Sequence, residues 1–227
     1  MQELIKSFSR KAGIAKGRLL KPITSRHLRK RLQNNNFTMV SSNCIGSKFY
    51  QELDIPYNTP FVGMFIYAPC FIKLLGNMDY YLKSDLSFIQ KSKYDDMIPP
   101  EKRDRGYPVG LIGDDLEIHF LHYESEEEAR TKWMRRRDRM TDNLFITFTD
   151  RDLCNESHLE MFDQLEYPNK VCFTADKYPS LQSSVWVNEY QNEPHVGDLY
   201  TEFHNLRKHF DFVDWLNGGP GRRNGWT

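Results

Sequence analysis

Two histidines and a tyrosine lie in or directly after a short apolar run, LEIHFLHY, at residues 116–123. An imidazole can act as a general base toward a substrate hydroxyl, because its ordinary pKa lies close to neutral pH. If the run is a strand, His122 shares a face with Ile118 and Phe120, and His119 points to the opposite face. The alternative for His122 is a hydrogen-bonded residue of the core. We predict His122 and Tyr123 as candidate catalytic residues.

A polar turn, SSNCIGS, follows the apolar run FTMV at residues 37–40 and opens onto a short helix. Backbone N–H groups at the start of a helix suit phosphate, pyrophosphate or carboxylate. The candidate ligand-binding residues here are Ser42, Asn43, Cys44 and Gly46. A thiol at this position could also have a lowered pKa and act as a nucleophile. The alternative for Cys44 is a small buried hydrophobic residue.

A third polar turn, residues 149–155, contains TDRD directly after an apolar run. The pair Asp150-x-Asp152 is similar to the D-x-D by which many glycosyltransferases hold a divalent metal and a nucleotide-sugar diphosphate. A divalent metal at Asp150 and Asp152 is the one cofactor that the sequence indicates, and the cofactor is otherwise unknown.

Charged residues dominate the segment after His122. Ser125 followed by Glu128 forms a capping box, which places the start of a helix one residue after Ser125. Glu126 with Arg130, and Glu128 with Lys132, are favourable pairs one helical turn apart. Most of this charge therefore supports a solvated helix.

Two residues of that helix are further candidates for ligand binding. Ala129, Trp133, Arg136 and Met140 share one narrow stripe, so Arg136 faces inward with Trp133. An inward guanidinium needs a carboxylate or phosphate partner. Arg136 either pairs with an acidic residue of the core or anchors a substrate.

Strands that alternate with helices predict an α/β fold. The expected strands are FTMV, FVGMFIY, DLSFIQ, YPVGLI, LEIHFLH, NLFITF, KVCFTA and SSVWVN, and the main expected helices are PCFIKLLGNMDYYL, ESHLEMFDQL and YTEFHNLRKHFDFVDWLN. This order favours a single three-layer α/β/α domain with a mainly parallel sheet and some antiparallel strands. Ligands of such sheets bind beyond the carboxyl ends of the strands, so we expect the three polar turns at one edge.

Charge is balanced overall but unevenly distributed. The 227 residues contain 31 basic and 31 acidic side chains, whereas residues 1–33 contain ten basic residues and a single acid, Glu3. We divide the chain into a basic arm (1–36), the α/β domain (37–217) and a flexible Gly/Arg-rich tail (218–227). The arm either lies on an anionic membrane surface or docks on the acidic body. The neutral total gives no indication of nucleic-acid binding.

Several classes of protein are disfavoured. The four cysteines include no C-x-x-C pair, which indicates free thiols in a reducing compartment. The longest mostly apolar run, residues 61–72, is too short to span a bilayer, and no secretory signal is evident. G-x-G-x-x-G, the P-loop, G-x-S-x-G and H-E-x-x-H are absent, which disfavours dinucleotide-binding, ATPase, lipase-type and zincin activities.

Longer stretches resemble a bacterial family of uncharacterised domains, DUF1919, whose members are often labelled exopolysaccharide biosynthesis proteins. The resemblance covers roughly residues 36–217 and rests above all on the string H-Y-x-S-x-x-E-A-x-x-K-W-x-x-R, which begins at His122 and ends at Arg136. The first turn is similar to the family pattern S-N-N-C-x-G-G, with Ser42 in place of an Asn and Ser47 in place of a Gly. The resemblance implies a three-layer α/β fold and a role in capsule or exopolysaccharide synthesis.

These observations together favour a transferase that moves a glycosyl or acyl group from an activated donor, such as a nucleotide sugar, to a saccharide. We expect residues 42–46 and Arg136 to bind donor phosphate and His122 to activate the acceptor hydroxyl. The alternative is a non-catalytic saccharide-binding or assembly protein at the inner membrane face. Either protein is cytoplasmic, with possible peripheral attachment to the inner membrane through residues 1–33. A hydrolase with a cysteine nucleophile is a more distant alternative.

Overall fold

Seven short strands and eight α-helices make up the part of the chain that the structure, a computed structural model, describes: residues 22–99 and 106–222. In chain order they are α1 (22–31), β1 (Thr38–Ser41), α2 (Ile45–Leu53), α3 (Ala68–Gly76), α4 (Met78–Lys83), β2 (Leu86–Ile89), β3 (Val109–Ile112), β4 (Leu116–His119), α5 (Glu126–Arg137), β5 (Leu144–Thr149), α6 (Glu156–Gln164), β6 (Lys170–Thr174), β7 (Ser184–Trp186), α7 (Phe203–His209) and α8 (Phe212–Leu216).

The central sheet is parallel and has the order β1-β5-β6-β7. Thr38 pairs with Leu144, and Ile146 pairs with Lys170, so β5 lies between its two neighbours over most of its length. These strands read as nearly continuous apolar runs because helices cover both faces of a parallel sheet. The prediction of an α/β fold with a mainly parallel sheet is confirmed.

The antiparallel strands form a second, smaller sheet with the order β2-β3-β4. The turn between β3 and β4 contains Gly113, whose φ of +57° lies in the left-handed region that favours glycine. The predicted antiparallel strands are therefore present, and they form a sheet of their own.

Residues 61–67, predicted as a strand, instead form an irregular connection between the two sheets. Gly63 has a φ of +70°, which bends the chain out of the extended conformation. Phe65 exchanges two hydrogen bonds of 2.9 Å with His119 of β4, and the N–H of Ile66 donates to the carbonyl of Ser42 at 2.8 Å. The segment therefore joins the end of β1 to the antiparallel sheet by single pairings.

Successive residues of the parallel strands pack into two separate hydrophobic clusters. Met39, Phe145 and Phe173 pack on one side with side chains of α1, α2, α7 and α8. Val40 and Ile146 pack on the other side with α3, α5, α6 and the antiparallel sheet. The three-layer arrangement follows from this alternation.

Two helices that we predicted as continuous are each divided. The first breaks at Asn77, whose φ of −150° and ψ of 54° are not helical, and α4 follows. The second breaks at Phe210, and Asp211 then caps α8 by accepting hydrogen bonds from the N–H groups of Val213 and Asp214. An Asp with this capping geometry explains why the second helix restarts.

The described part of the basic arm packs on the body. Leu28 and Leu32 are buried in the core. Arg29 pairs with Asp54 at 3.1 Å, and Arg31 pairs with Asp211 at 2.5 Å. The amphipathic pattern expected over residues 1–21 lies outside the described residues. No helix in the described ranges combines the length and apolarity that a bilayer crossing requires.

The tail expected to be flexible is bonded to the body in its described part. Residues 218–222 follow α8, and the N–H groups of Gly219 and Gly221 donate to the main-chain oxygen and the carboxylate of Asp214, respectively, each at 2.9 Å. Phe210 and Arg222 form an isolated antiparallel bridge. Residues 223–227 lie outside the described residues.

Candidate functional site

A cavity of about 310 Å³ opens at the carboxyl ends of β1 and β5. All three polar turns selected from the sequence contribute to its wall, and a fourth segment, residues 197–200, closes it. The lining residues are Asn43, Cys44, Phe65, Leu121, His122, Thr149, Arg151, Asp152, Gly197, Asp198, Leu199 and Tyr200. The expected convergence of the three turns is therefore present.

The first turn is held together by its own side chains. The Ser41 hydroxyl accepts the N–H of Gly46 at 3.2 Å and donates to the Asn43 carbonyl at 2.7 Å. The Asn43 side-chain oxygen accepts the N–H of Ile45 at 3.3 Å. Two N–H groups expected to bind a phosphate are thus occupied by oxygen atoms of the same chain.

Two of the candidate residues in this turn serve the fold instead of the cavity wall. A side chain on Gly46 would place its Cβ 2.7 Å from the Cβ of Ser41, so glycine allows the close packing of α2 on β1. Ser42 is 2% exposed, and its carbonyl accepts the N–H of Ile66. Neither residue lines the cavity, and their assignment as ligand-binding residues stays a prediction from the sequence.

Cys44 precedes α2 and lines the cavity with a half-buried side chain. Its Sγ lies 3.8 Å from the Met64 carbonyl, to which it donates. The pKa of the Cys44 thiol is raised to about 11, mainly by burial and also by the carboxylates of Asp198 and Asp152, while Arg151 opposes the shift. The possibility of a lowered pKa at this helix start is therefore wrong, and Cys44 is a neutral thiol at pH 7.

Asp150 and Asp152 have different surroundings. Both oxygens of Asp150 are used by the backbone, accepting the N–H of Ala175 at 2.7 Å and of Val196 at 2.9 Å. Asp152 has a left-handed φ of 59° and lines the cavity. No group of three or more potential metal ligands occurs among residues 22–99 and 106–222. Metal binding by the two carboxylates of Asp150 and Asp152 therefore stays a prediction from the sequence.

Burial raises the pKa of Asp152, while Arg151 and the Asn43 side chain oppose the shift. Because Asp152 is enclosed beside an amide and a guanidinium, it can accept hydrogen bonds from a bound hydroxyl group. Its carboxylate and that of Asp198 outnumber the single guanidinium of Arg151 in the wall. The interior of the cavity therefore carries a negative balance of charge.

His122 is exposed and lies at the cavity, whereas His119 is fully buried. The strand ends at His119, so the alternation of faces does not continue to His122. The N–H of His122 donates to the Gly63 carbonyl at 3.0 Å, which fixes the backbone that carries the imidazole. His119 stacks on Phe65 with centroids 4.6 Å apart and lies 3.7 Å from Glu117. His119, and not His122, is therefore the histidine that is buried in the core.

Tyr123 and Trp133 are both buried in the core. The Tyr123 hydroxyl donates to the Val62 carbonyl at 2.6 Å and accepts from Arg136 at 2.7 Å. Burial raises the pKa of Tyr123, and the guanidinium of Arg136 opposes this. Trp133 is 1% exposed and packs edge-on against Phe61. Neither side chain lines the cavity. The catalytic assignment of Tyr123 and the ligand-binding assignment of Trp133 stay predictions from the sequence.

Sequence reasoning missed the wall formed by residues 197–200. Long-range contacts hold this segment: Asp150 accepts the N–H of Val196, Arg151 donates to the Gly197 carbonyl at 3.1 Å, and the Tyr200 hydroxyl donates to Gln51 at 2.9 Å. The pattern VGDLY indicates a turn in the sequence. Nothing in it indicates which part of the sheet the turn approaches.

Comparison with known proteins identifies the family of the chain. The family described as "Domain of unknown function (DUF1919)" matches residues 15–217. An "Uncharacterized protein" of Haemophilus influenzae (strain ATCC 51907 / DSM 11121 / KW20 / Rd) is 40% identical over 199 residues, which are 85% of this chain and 90% of that protein. Two thirds or more of both chains are thus covered at substantial identity. The chain belongs to the DUF1919 family.

Proposed function

We propose that the protein is a cytoplasmic transferase of exopolysaccharide or capsule synthesis, which moves a glycosyl or acyl group from an activated donor to a saccharide. The observation that carries the proposal is the convergence of three polar turns and an exposed imidazole, His122, on one cavity at the carboxyl edge of the parallel sheet. In α/β sheets this edge is where ligands bind.

The cavity suits a sugar unit in size and chemistry. Its volume of about 310 Å³ lies at the lower end of the ~300 to 1,000 Å³ range of small-molecule sites. Phe65 and Tyr200 supply aromatic surface. Asn43, Asp152 and Arg151 supply acceptors and donors for hydroxyl groups. The excess of carboxylates disfavours phosphate inside the cavity, so we place the acceptor saccharide there.

His122 is the general base of the proposed reaction. Its imidazole accepts the proton of the acceptor hydroxyl, and the hydroxyl oxygen forms a bond to the acyl carbonyl carbon or anomeric carbon of the donor. The bond from that carbon to the leaving group breaks, and the leaving group departs with the electron pair. Asp152 orients the acceptor through a second hydroxyl group.

Steady-state transfer assays with a panel of nucleotide sugars and acyl-CoA donors, each with a saccharide acceptor, test the proposal. We expect His122→Ala to reduce kcat by about 10²- to 10⁴-fold, the usual contribution of a general base. His204→Ala is the matched control, because His204 is exposed on α7 and does not line the cavity. Unchanged turnover in His122→Ala would remove this mechanism.

The second candidate function is a non-catalytic saccharide-binding or assembly protein at the inner membrane face. The observation that favours it is the excess of basic residues in the arm, although Arg29 and Arg31 already pair with acids of the body. Co-sedimentation with anionic vesicles tests it with a variant that lacks residues 1–21, because this deletion leaves the buried Leu28 and Leu32 in place. Equal binding by the variant and the full chain contradicts the membrane role.

A further inference from the structure

Arg136 occupies an unusual position on α5. Its guanidinium carbon lies 5.5 Å from the centroid of the Tyr57 ring, and one terminal nitrogen donates to the Tyr123 hydroxyl at 2.7 Å. The remaining donors of the guanidinium make no hydrogen bond with the part of the chain that the structure describes. Two aromatic residues thus hold a planar cation whose other donors are unused.

Arg136 also lacks a close ion pair among the described residues, although the Glu128 carboxylate interacts with its charge at longer range. No carboxylate of residues 22–99 or 106–222 forms an ion pair with it, whereas Lys132 pairs with Glu128 and Arg137 pairs with Asp138 on the same helix. Arg136 is half-buried. A partly desolvated guanidinium gains most from a bidentate anion such as a carboxylate or phosphate.

Two routes connect Arg136 to the cavity. The first runs through Tyr123, which holds Arg136 and directly follows the cavity residue His122. The second runs across α2. The Gln51 side chain donates to the Tyr57 hydroxyl at 3.0 Å and accepts from the Tyr200 hydroxyl at 2.9 Å, and Tyr200 lines the cavity.

The charges of these neighbouring surfaces differ in sign. Asp152 and Asp198 give the cavity its negative balance, whereas the surface around Tyr57 and Tyr200 carries Arg136 and Lys48. Lys48 is paired with an acid one turn away at 3.0 Å, so Arg136 is the cation available to a ligand. An anionic group linked to a molecule in the cavity would therefore bind beside Arg136 and not inside the cavity.

We propose that Arg136, with the rings of Tyr57 and Tyr200, forms a subsite for the diphosphate of the donor, adjacent to the saccharide cavity. This inference rests on the proposed transferase function and names the donor as one that carries a diphosphate. Nucleotide sugars and acyl-CoA share that group. The guanidinium binds two phosphate oxygens through its unused donors, and the donor's reactive carbon extends toward His122.

Calorimetric titration of the full chain with inorganic pyrophosphate, UDP and coenzyme A tests the subsite. We expect Arg136→Ala to weaken pyrophosphate binding by about ten- to a hundredfold, as expected for lost charge-assisted hydrogen bonds. Arg136→Lys retains the charge but not the planar fork, so it should recover only part of the affinity. Arg135→Ala is the matched control, because Arg135 is the adjacent, exposed residue of α5, and we expect it to change the affinity by less than about twofold.

Thermal unfolding of each variant shows whether it remains folded, and Arg136→Lys serves if Arg136→Ala does not fold. Tighter binding of UDP than of pyrophosphate supports a nucleotide-sugar donor, and tighter binding of coenzyme A supports an acyl donor. The subsite is refuted if no diphosphate binds at millimolar concentration, or if Arg135→Ala weakens binding as much as Arg136→Ala.

His122→Ala separates this inference from the proposed function, because it should reduce kcat of transfer by about 10²- to 10⁴-fold and leave pyrophosphate binding unchanged. If transfer depends on His122 but Arg136→Ala leaves pyrophosphate binding unchanged, the proposed subsite is wrong and the proposed function is retained. If binding depends on Arg136 but transfer does not depend on His122, the subsite stands and the proposed mechanism fails.

Discussion

Asp150 links the wall of the cavity to the end of the parallel sheet, and its replacement provides a direct test of that link. Its carboxylate accepts one N–H from Ala175, after β6, and one from Val196, before the wall segment. Asp150→Ala leaves both N–H groups without this acceptor. Hydrogen bonds to a charged group contribute about 1.5 to 3 kcal/mol each.

Burial of the carboxylate offsets part of this gain, since it raises the pKa of Asp150 and so disfavours the ionised form. We therefore expect Asp150→Ala to lower the free energy of unfolding by about 3 kcal/mol, which corresponds to a fall in Tm of about 6 to 12 °C. Asp150→Asn keeps one acceptor oxygen and should lose about half as much.

Urea denaturation measures the free energy, and hydrogen exchange of residues 196–200 measures the local effect. Asp142→Ala is the control, because Asp142 is exposed and its carboxylate makes no hydrogen bond with other described residues. A loss below about 0.5 kcal/mol in Asp150→Ala, within the range of ordinary surface changes, would refute the link. So would equal losses in Asp150→Ala and Asp150→Asn.

Three further predictions follow from packing and charge. Gly46→Ala should lower the free energy of unfolding, measured by urea denaturation, by about 1 to 3 kcal/mol, because the new Cβ would lie 2.7 Å from the last residue of β1. Gly76→Ala is the control. It should leave the free energy of unfolding unchanged or raise it, because no atom lies within 4 Å of the new Cβ. Alkylation of Cys44 by iodoacetamide should be slow at pH 7 and accelerate up to about pH 11, since its pKa is raised to about 11. Asp152→Asn removes a negative charge that raises the pKa of Cys44, so it should speed alkylation at pH 8 by about three- to tenfold. An unchanged rate would contradict the proximity of Asp152 to the Cys44 thiol. Leu28→Ala should lower the free energy of unfolding by about 2 to 5 kcal/mol, because Leu28 is 4% exposed. A change below about 0.5 kcal/mol would show that α1 does not pack on the body of the protein in solution.

The fold class was accessible from the sequence because its signals are local. Continuous apolar runs predict parallel strands covered on both faces, and the capping box at Ser125 placed the start of α5 at the observed residue. Residues 61–67 have the composition of a strand, but the left-handed φ of Gly63 prevents one. A single-residue backbone conformation of this kind is not visible in the pattern of apolar residues.

Part of the site could be predicted because the signals that select it are also local in the sequence. The strand-end rule selected the three turns that meet at the cavity, including Cys44, His122 and Asp152. It did not separate His122 from Tyr123, since the strand ends at His119, three residues earlier than the apolar run suggests. The wall at residues 197–200 depends on pairing across 46 residues, from Asp150 to Val196, and local sequence carries no record of such a contact.

The pairing of β1 with β5 also determines the order in which the protein can assemble during translation. Thr38 has its partner at Leu144, so β1 is made long before β5 exists. At about 5 to 20 residues per second, the intervening hundred or so residues take about 5 to 20 seconds to synthesise. The antiparallel sheet, all within Leu86–His119, can pair in that interval, whereas the nascent β1 stays unpaired with its backbone groups open to other chains. Truncated chains that end before residue 144 are therefore expected to aggregate through β1.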